Sequence, residues 1–202
     1  MIAVVWIILA VLSGGVLGWL FLPPGSDWIG DVVIGMLCLL VFFAGMDVGQ
    51  NWTMMRELMR KGHQVIMVPV MVTIGSLLGG LIASFLVGMN PWDVMAVAAA
   101  VGWYSLSGPM ITNMASVDLG TVAFMSNLMR EIFSFALIPI VARYVGHLAA
   151  IGPGGATTID STLPIISRFT SPQNAMIAFF SGFALTAVPP IVIPFCLRMA
   201  GW

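Results

Sequence analysis

Charge is what this chain has least of. Only 7% of its 202 residues are Asp, Glu, Lys or Arg, against the roughly 25% usual for soluble domains. Seven basic and eight acidic residues leave a net charge of −1, so no basic surface points to nucleic acid. Cysteine is equally scarce. Cys38 and Cys196 lie far apart in apolar stretches and read as small core residues, neither a disulfide nor a metal pair. Histidine occurs twice, as His63 and His147. There is no His-Glu-x-x-His, no phosphate-binding Gly-Lys motif and no redox cysteine pair. No nucleophile–base pair stands out, so neither an enzyme nor a cofactor is expected.

Apolar residues fill the chain instead. They make up 60% of it, and the mean hydropathy of +1.07 marks a polytopic membrane protein. Sixteen methionines without Met-x-Met clustering read as gap fillers between helices. A helix needs about 20 apolar residues to cross roughly 30 Å of hydrocarbon. Seven stretches qualify: 2–22, 28–48, 64–87, 93–113, 119–142, 147–167 and 172–199. No Lys or Arg precedes the first, which therefore reads as a retained span and not a cleaved signal. The expectation is one all-α membrane domain over residues 1–202, with about seven segments.

Basic loops set the orientation. Arg56, Arg60 and Lys61 put the loop at 50–63 in the cytoplasm, whereas the loops at 23–30 and 88–92 have no basic residue. The N-terminus is then cytoplasmic, in the cell (plasma) membrane. If every segment crosses, Arg143 faces outside and Arg168 inside, a mild conflict at Arg143. Gly14-Gly15-Val16-Leu17-Gly18 and Gly75-Ser76-Leu77-Leu78-Gly79-Gly80 carry small residues four apart, suited to close packing within one protomer or between copies.

Two segments are interrupted where lipid tolerates no interruption. Residues 152–164 hold two prolines, three glycines, Thr157, Thr158, Asp160, Ser161 and Thr162. Gly102-Trp103-Tyr104-Ser105-Leu106-Ser107-Gly108-Pro109 lies about 50 residues earlier. Irregular backbone at membrane depth survives only where protein buries it or water reaches it, and paired interruptions point to a transport site. The fourth segment is expected to break near 104–109 and the sixth across 152–164, each crossing or re-entering.

The fifth segment carries Asn127, Arg130, Glu131 and Ser134 on one helical face near its middle. Ionised groups at that depth need partners or water. Two readings stand: a polar functional cavity, or an ion pair that only docks helices. Asp160 is either a site acid in unwound backbone or the N-cap of the helix toward Arg168. The substrate- or proton-binding candidates are Asp160, Glu131, Arg130, Asn127, Tyr104, Ser105, Ser107, Thr157, Thr158 and Ser161. Asp47, His63 and His147 read as solvated or interfacial groups.

Gly102-Trp103-Tyr104-Ser105-Leu106-Ser107-Gly108, Asn127-Leu128-Met129-Arg130-Glu131 ahead of Ile138-Pro139, and Gly155-Ala156-Thr157-Thr158-Ile159-Asp160-Ser161-Thr162-Leu163-Pro164 together resemble the LysO-like lysine exporter family. The resemblance covers nearly all of the chain. It implies export of L-lysine and close analogues through an antiporter-like core in which two discontinuous helices cross; protons are expected as coupling ion because proton and substrate compete for the acids Asp160 and Glu131. It also implies an additional N-terminal membrane part in most members. Self-association, or a small partner subunit in place of that part, is the corresponding expectation here. The alternatives are a cation or proton channel, an antiporter for another cation, and a non-transporting membrane subunit.

Overall fold

A computed structural model describes residues 64–202 without interruption, together with isolated positions between residues 13 and 46. The stretches at 2–22 and 28–48 (those isolated positions apart), the glycines at 14–18, Asp27, Asp47 and the basic loop at 50–63 with His63 lie outside the described residues. The chain divides into two compact units, Met1–Met36 and Leu37–Trp202. In the first, Ser13, Leu20, Asp31, Val32, Gly35 and Met36 are helical.

The second unit is helix and turn, with no strand among the described residues. Helix α1 is Gln64–Val87, and Asn90 caps α2, Pro91–Ala98, by accepting from the Trp92 amide at 3.0 Å. Helix α3 is Tyr104–Met114. Ser116 caps the long α4, Val117–Tyr144, through the Leu119 amide at 3.2 Å, with Asp118 in the first turn favouring the helix dipole. Two 3-10 turns follow, Ala149–Ile151 and Gly155–Ile159, and then α5, Leu163–Phe169. Ser171 caps α6, Pro172–Thr186, and α7 is Val188–Ala200, ended by Gly201 at φ 99°.

Two of these helices, α1 over Val65–Val87 and α4, are long and apolar enough to cross a membrane. Helices α6 and α7 make a third candidate, bent by 41° between Thr186 and Val188. The seventh stretch is thus kinked and not straight. Pro189 and Pro190 lack the amide hydrogens that would bond to Leu185 and Thr186, which accounts for the bend. Exposed apolar side chains such as Phe85, Leu86 and Phe133 cover the spans, as expected of an integral membrane protein.

The two broken stretches pack against opposite halves of α4. In the first half, Gly108 and Gly120 bring α3 and α4 close: a Cβ on Gly120 would come within 2.8 Å of the Gly108 carbonyl. Ala96, Ala99, Ile111, Leu119, Ala123, Ile193 and Cys196 form one core there. In the second half, Ile138, Ala142, Ala150, Ile151 and Ile166 form another. Trp92 and Ala115, at the two ends of the first stretch, pack against one core. His147 and Phe169, at the two ends of the second, line one cavity with Arg143. Arg143 and Phe169, the neighbour of Arg168, therefore lie at the same cavity.

The first break falls earlier than the sequence reading placed it. Backbone turns through residues 99–103, while Tyr104–Met114 is helix with Pro109 inside it. Val101 at φ 51° and Gly102 at φ 98° carry the turn between α2 and α3, while the Gly-Pro pair lies inside α3. Asn113 Nδ2 donates to the Pro109 carbonyl at 2.9 Å, one turn on. Asp160 does not cap α5. Thr162 holds the N-cap position without a side-chain bond, and the Asp160 carboxylate folds back onto the Ser161 amide and, at 3.3 Å, its hydroxyl.

Candidate functional site

Each break exposes backbone groups, and α4 satisfies both from one face. Asn127 is buried. Its Oδ1 accepts from the Gly102 amide at 2.9 Å, and its Nδ2 donates to the carbonyls of Val97 and Ala123, both at 2.9 Å. One turn further, Arg130 donates from Nε to the Pro153 carbonyl at 3.3 Å and from Nη2 to the Gly152 carbonyl at 3.2 Å. Nη1 donates to Ser76 Oγ at 2.8 Å, and that hydroxyl donates to the Ala98 carbonyl at 2.8 Å. A planar fork with several donors suits this task better than a point charge would. Each of these groups, unpaired at this depth, would cost several kcal/mol.

The breaks also touch each other. The Ala156 amide donates to the Val101 carbonyl at 2.9 Å. Gly155 sits at φ 60°, and a Cβ there would run into that same carbonyl. Thr157 Oγ1 donates to the Gly154 carbonyl at 2.8 Å and lies 3.3 Å from Thr162 Oγ1. Thr158 Oγ1 bonds the carbonyls of Gly155 at 2.8 Å and Ala178 at 2.7 Å. Gly182 lets α6 approach, since a Cβ there would lie 2.6 Å from Thr158 Oγ1.

Beside this crossing lies a cavity of about 300 Å³, at the small end of ligand sites. Glu131 and Asp160 reach it from different segments, with Tyr104, Ser105, Thr157 and Ser161. Phe183 and Thr186 of α6 close one wall. The Tyr104 ring is fixed edge-on against Phe124, with centroids 5.4 Å apart. No side chain caps the N-terminus of α3, and the residues where it starts, Trp103, Tyr104 and Ser105, line the cavity. Asp160 and Ser105 are exposed and Glu131 is half-buried.

Six of the ten residues singled out in the sequence therefore meet: Asp160, Glu131, Tyr104, Ser105, Thr157 and Ser161. Four stand apart from the cavity lining. Asn127 and Thr158 have their hydrogen bonds taken up by backbone, and Arg130 faces Ser76 and the second break. The Ser107 hydroxyl is fully buried without a partner. Arg130 and Glu131, adjacent in sequence, serve different sides of the crossing. Ser134 is buried and donates to the Glu131 carbonyl at 2.6 Å. Sequence reasoning missed Ser76, Phe183, Thr186 and Gly182. The hydroxyl of Ser76, set among glycines read only as packing, was the available signal; the α6 residues offered none. Among the described residues no group of His, Cys, Asp and Glu is arranged to hold a metal.

The family model described as Lysine exporter LysO matches residues 8–197. A Haemophilus influenzae protein named "Putative lysine exporter" is 34% identical over 191 residues, covering 92% of this chain and 94% of that protein. The Escherichia coli K12 protein named "Lysine exporter LysO" is 35% identical over 159 residues, covering 79% of this chain and 52% of its own length. The chain thus spans nearly the whole of one relative and about half of the other. No solved structure matches it.

Proposed function

The chain belongs to the lysine exporter LysO family, and on that premise we propose that it exports L-lysine and close analogues from the cytoplasm in exchange for protons. One observation carries the reading: two carboxylates, Glu131 and Asp160, from separate segments line one cavity that, among the described residues, no guanidinium or ammonium lines. Such a cavity favours a cation. Lysine offers two ammonium groups for the acids, and its carboxylate meets the uncapped amides of α3, where a helix N-terminus favours negative charge. Tyr104, Ser105, Thr157 and Ser161 supply the remaining polar contacts.

Proton coupling follows from competition for the same acids. A carboxylate that takes a proton loses its attraction for an ammonium, and one that gives it up regains it. Protons arriving from outside then displace lysine outward, and lysine arriving from the cytoplasm displaces protons inward. Arg130 and Asn127 hold the crossing in shape without touching the cargo in this reading.

In this reading the two broken stretches are re-entrant hairpins from opposite faces, with α1, α4 and the α6–α7 pair crossing between them. Arg143 and the neighbour of Arg168 at one cavity support this. So do Arg56, Arg60 and Lys61, which precede α1 in sequence. By the distribution of basic residues the end that holds this cavity is cytoplasmic, which resolves the conflict at Arg143 and leaves Trp202 outside.

The test is exchange of radiolabelled lysine across proteoliposomes carrying the full chain, with and without a pH gradient. Exchange that needs the gradient and is lost in Asp160→Asn and Glu131→Gln supports the proposal. Gradient-independent leak points to a channel, and full activity in both variants removes the site from this cavity.

A further inference from the structure

A second cavity, of mixed apolar and polar lining, shares no lining residue with the first. It holds about 500 Å³ at the last turn of α4 and is lined by Pro139, Ile140, Arg143, Tyr144, His147 and Phe169. One guanidinium, that of Arg143, lines it, and a second, that of Arg168, stacks on the ring of the lining residue Phe169. The Arg143 group lies 5.4 Å from the Tyr144 ring centroid, and the Arg168 group lies 5.9 Å from that of Phe169, whose ring lines the cavity. Contacts of this kind hold a flexible arginine near a ring face while leaving its N–H donors free. Among the described residues no carboxylate lines the cavity.

Its surroundings narrow the ligand. Ile140 is 52% exposed and continues an apolar face with Phe133 and Leu137 on the membrane-crossing α4. The cavity therefore sits where lipid-facing surface gives way to Arg, Tyr and His, the pattern of a membrane interface. A free anion would use the guanidiniums and leave the apolar floor of Pro139 and Ile140 unmatched. An amphiphile with an anionic head uses both. We propose that this cavity binds the phosphate headgroup of an anionic phospholipid, with its acyl chains lying along Ile140 and Leu137. Arg143 and Arg168 grip the phosphate oxygens as guanidiniums do, and His147 adds a donor. The site ties the end of α4 to the end of α5, so a bound lipid braces the return of the second broken stretch.

Native mass spectrometry of the delipidated full chain, titrated with phosphatidylglycerol or with phosphatidylcholine of the same acyl chains, tests this. A basic residue near an anionic headgroup is worth about fivefold in affinity. Arg143→Gln and Arg168→Gln should each weaken phosphatidylglycerol binding about fivefold, and the double variant roughly 25-fold. Arg198→Gln, at the end of α7, should leave it unchanged, and inorganic phosphate in large excess should not displace the lipid. Melting temperatures of the single variants, both at exposed positions, show that the fold is kept. Equal binding by wild type and double variant, equal binding of the two lipids, or full displacement by phosphate would each overturn the proposal.

Discussion

The Arg130 guanidinium donates to Ser76 Oγ at 2.8 Å, and that hydroxyl passes the chain on to the Ala98 carbonyl at 2.8 Å. Through this pair, one side chain of α4 reaches both interruptions, since its other N–H groups hold Gly152 and Pro153. The acid next to it, Glu131, faces the 300 Å³ cavity instead. A brace and a ligand group thus sit side by side in sequence, with opposite consequences for mutation.

Glu131→Gln and Asp160→Asn should leave the protein folded, because Asp160 is exposed and Glu131 half-buried, while lowering lysine exchange by tenfold or more. One ammonium–carboxylate contact of about 1.5–3 kcal/mol corresponds to a factor of that size. The pH dependence of exchange should flatten in whichever variant has lost the coupling acid. Transport rates across a pH series measure both.

Arg130→Lys keeps the charge and loses the fork. A single ammonium cannot follow the spread of Ser76, Gly152 and Pro153 acceptors, so at least one carbonyl is left without its partner. A loss of about 1–3 kcal/mol is expected, read as a lower melting temperature in detergent. Ser76→Ala should reproduce part of it. If Arg130→Lys melts like the parent yet fails to transport, Arg130 contacts the cargo after all.

Asn127→Ala removes the acceptor for the Gly102 amide and a donor to the Val97 carbonyl. The buried Gly102 amide is left unpaired, at roughly 1–3 kcal/mol, while the Val97 carbonyl keeps the Ala100 amide at 3.4 Å, so the variant should express poorly. Asn127→Asp keeps the acceptor and should fall between the two. Yield and melting temperature rank the three.

Gly182→Ala would set a Cβ 2.6 Å from Thr158 Oγ1 and 2.8 Å from the Ile159 amide, while Gly75→Ala meets nothing within 4 Å. Overpacking of the first kind costs about 1–3 kcal/mol. The second should be neutral or slightly stabilising, since alanine is the better helix former. The two melting curves, compared directly, check the packing at the second break.

Much of this was legible in the linear chain because it depends on local composition. Apolar length marked α1 and α4, and the Gly, Pro and Thr run at 152–164 marked the second break. Adjacent ionisable residues inside an apolar run marked Arg130 and Glu131, and an acid within the polar interruption marked Asp160. Local reasoning failed where a choice depended on neighbours. Pro109 looked like the breaker of the fourth segment, yet a helix tolerates a missing donor more readily than Val101 and Gly102 tolerate helical dihedrals once Asn127 has claimed the Gly102 amide. The proline pair at 189–190 bends the seventh segment, but only the packed structure sets the angle of 41°.

Sequence alone determined that this is a helical membrane protein with two polar interruptions and two acids at risk in lipid, because the cost of exposing polar groups to hydrocarbon acts residue by residue. Tertiary structure decided which polar groups became scaffold and which became site. Successive side chains on a helix point about 100° apart. Arg130 and Glu131 were therefore bound to face different neighbours, and only the packing of α1, α3, α6 and the two breaks around α4 established that one meets carbonyls and the other a cavity.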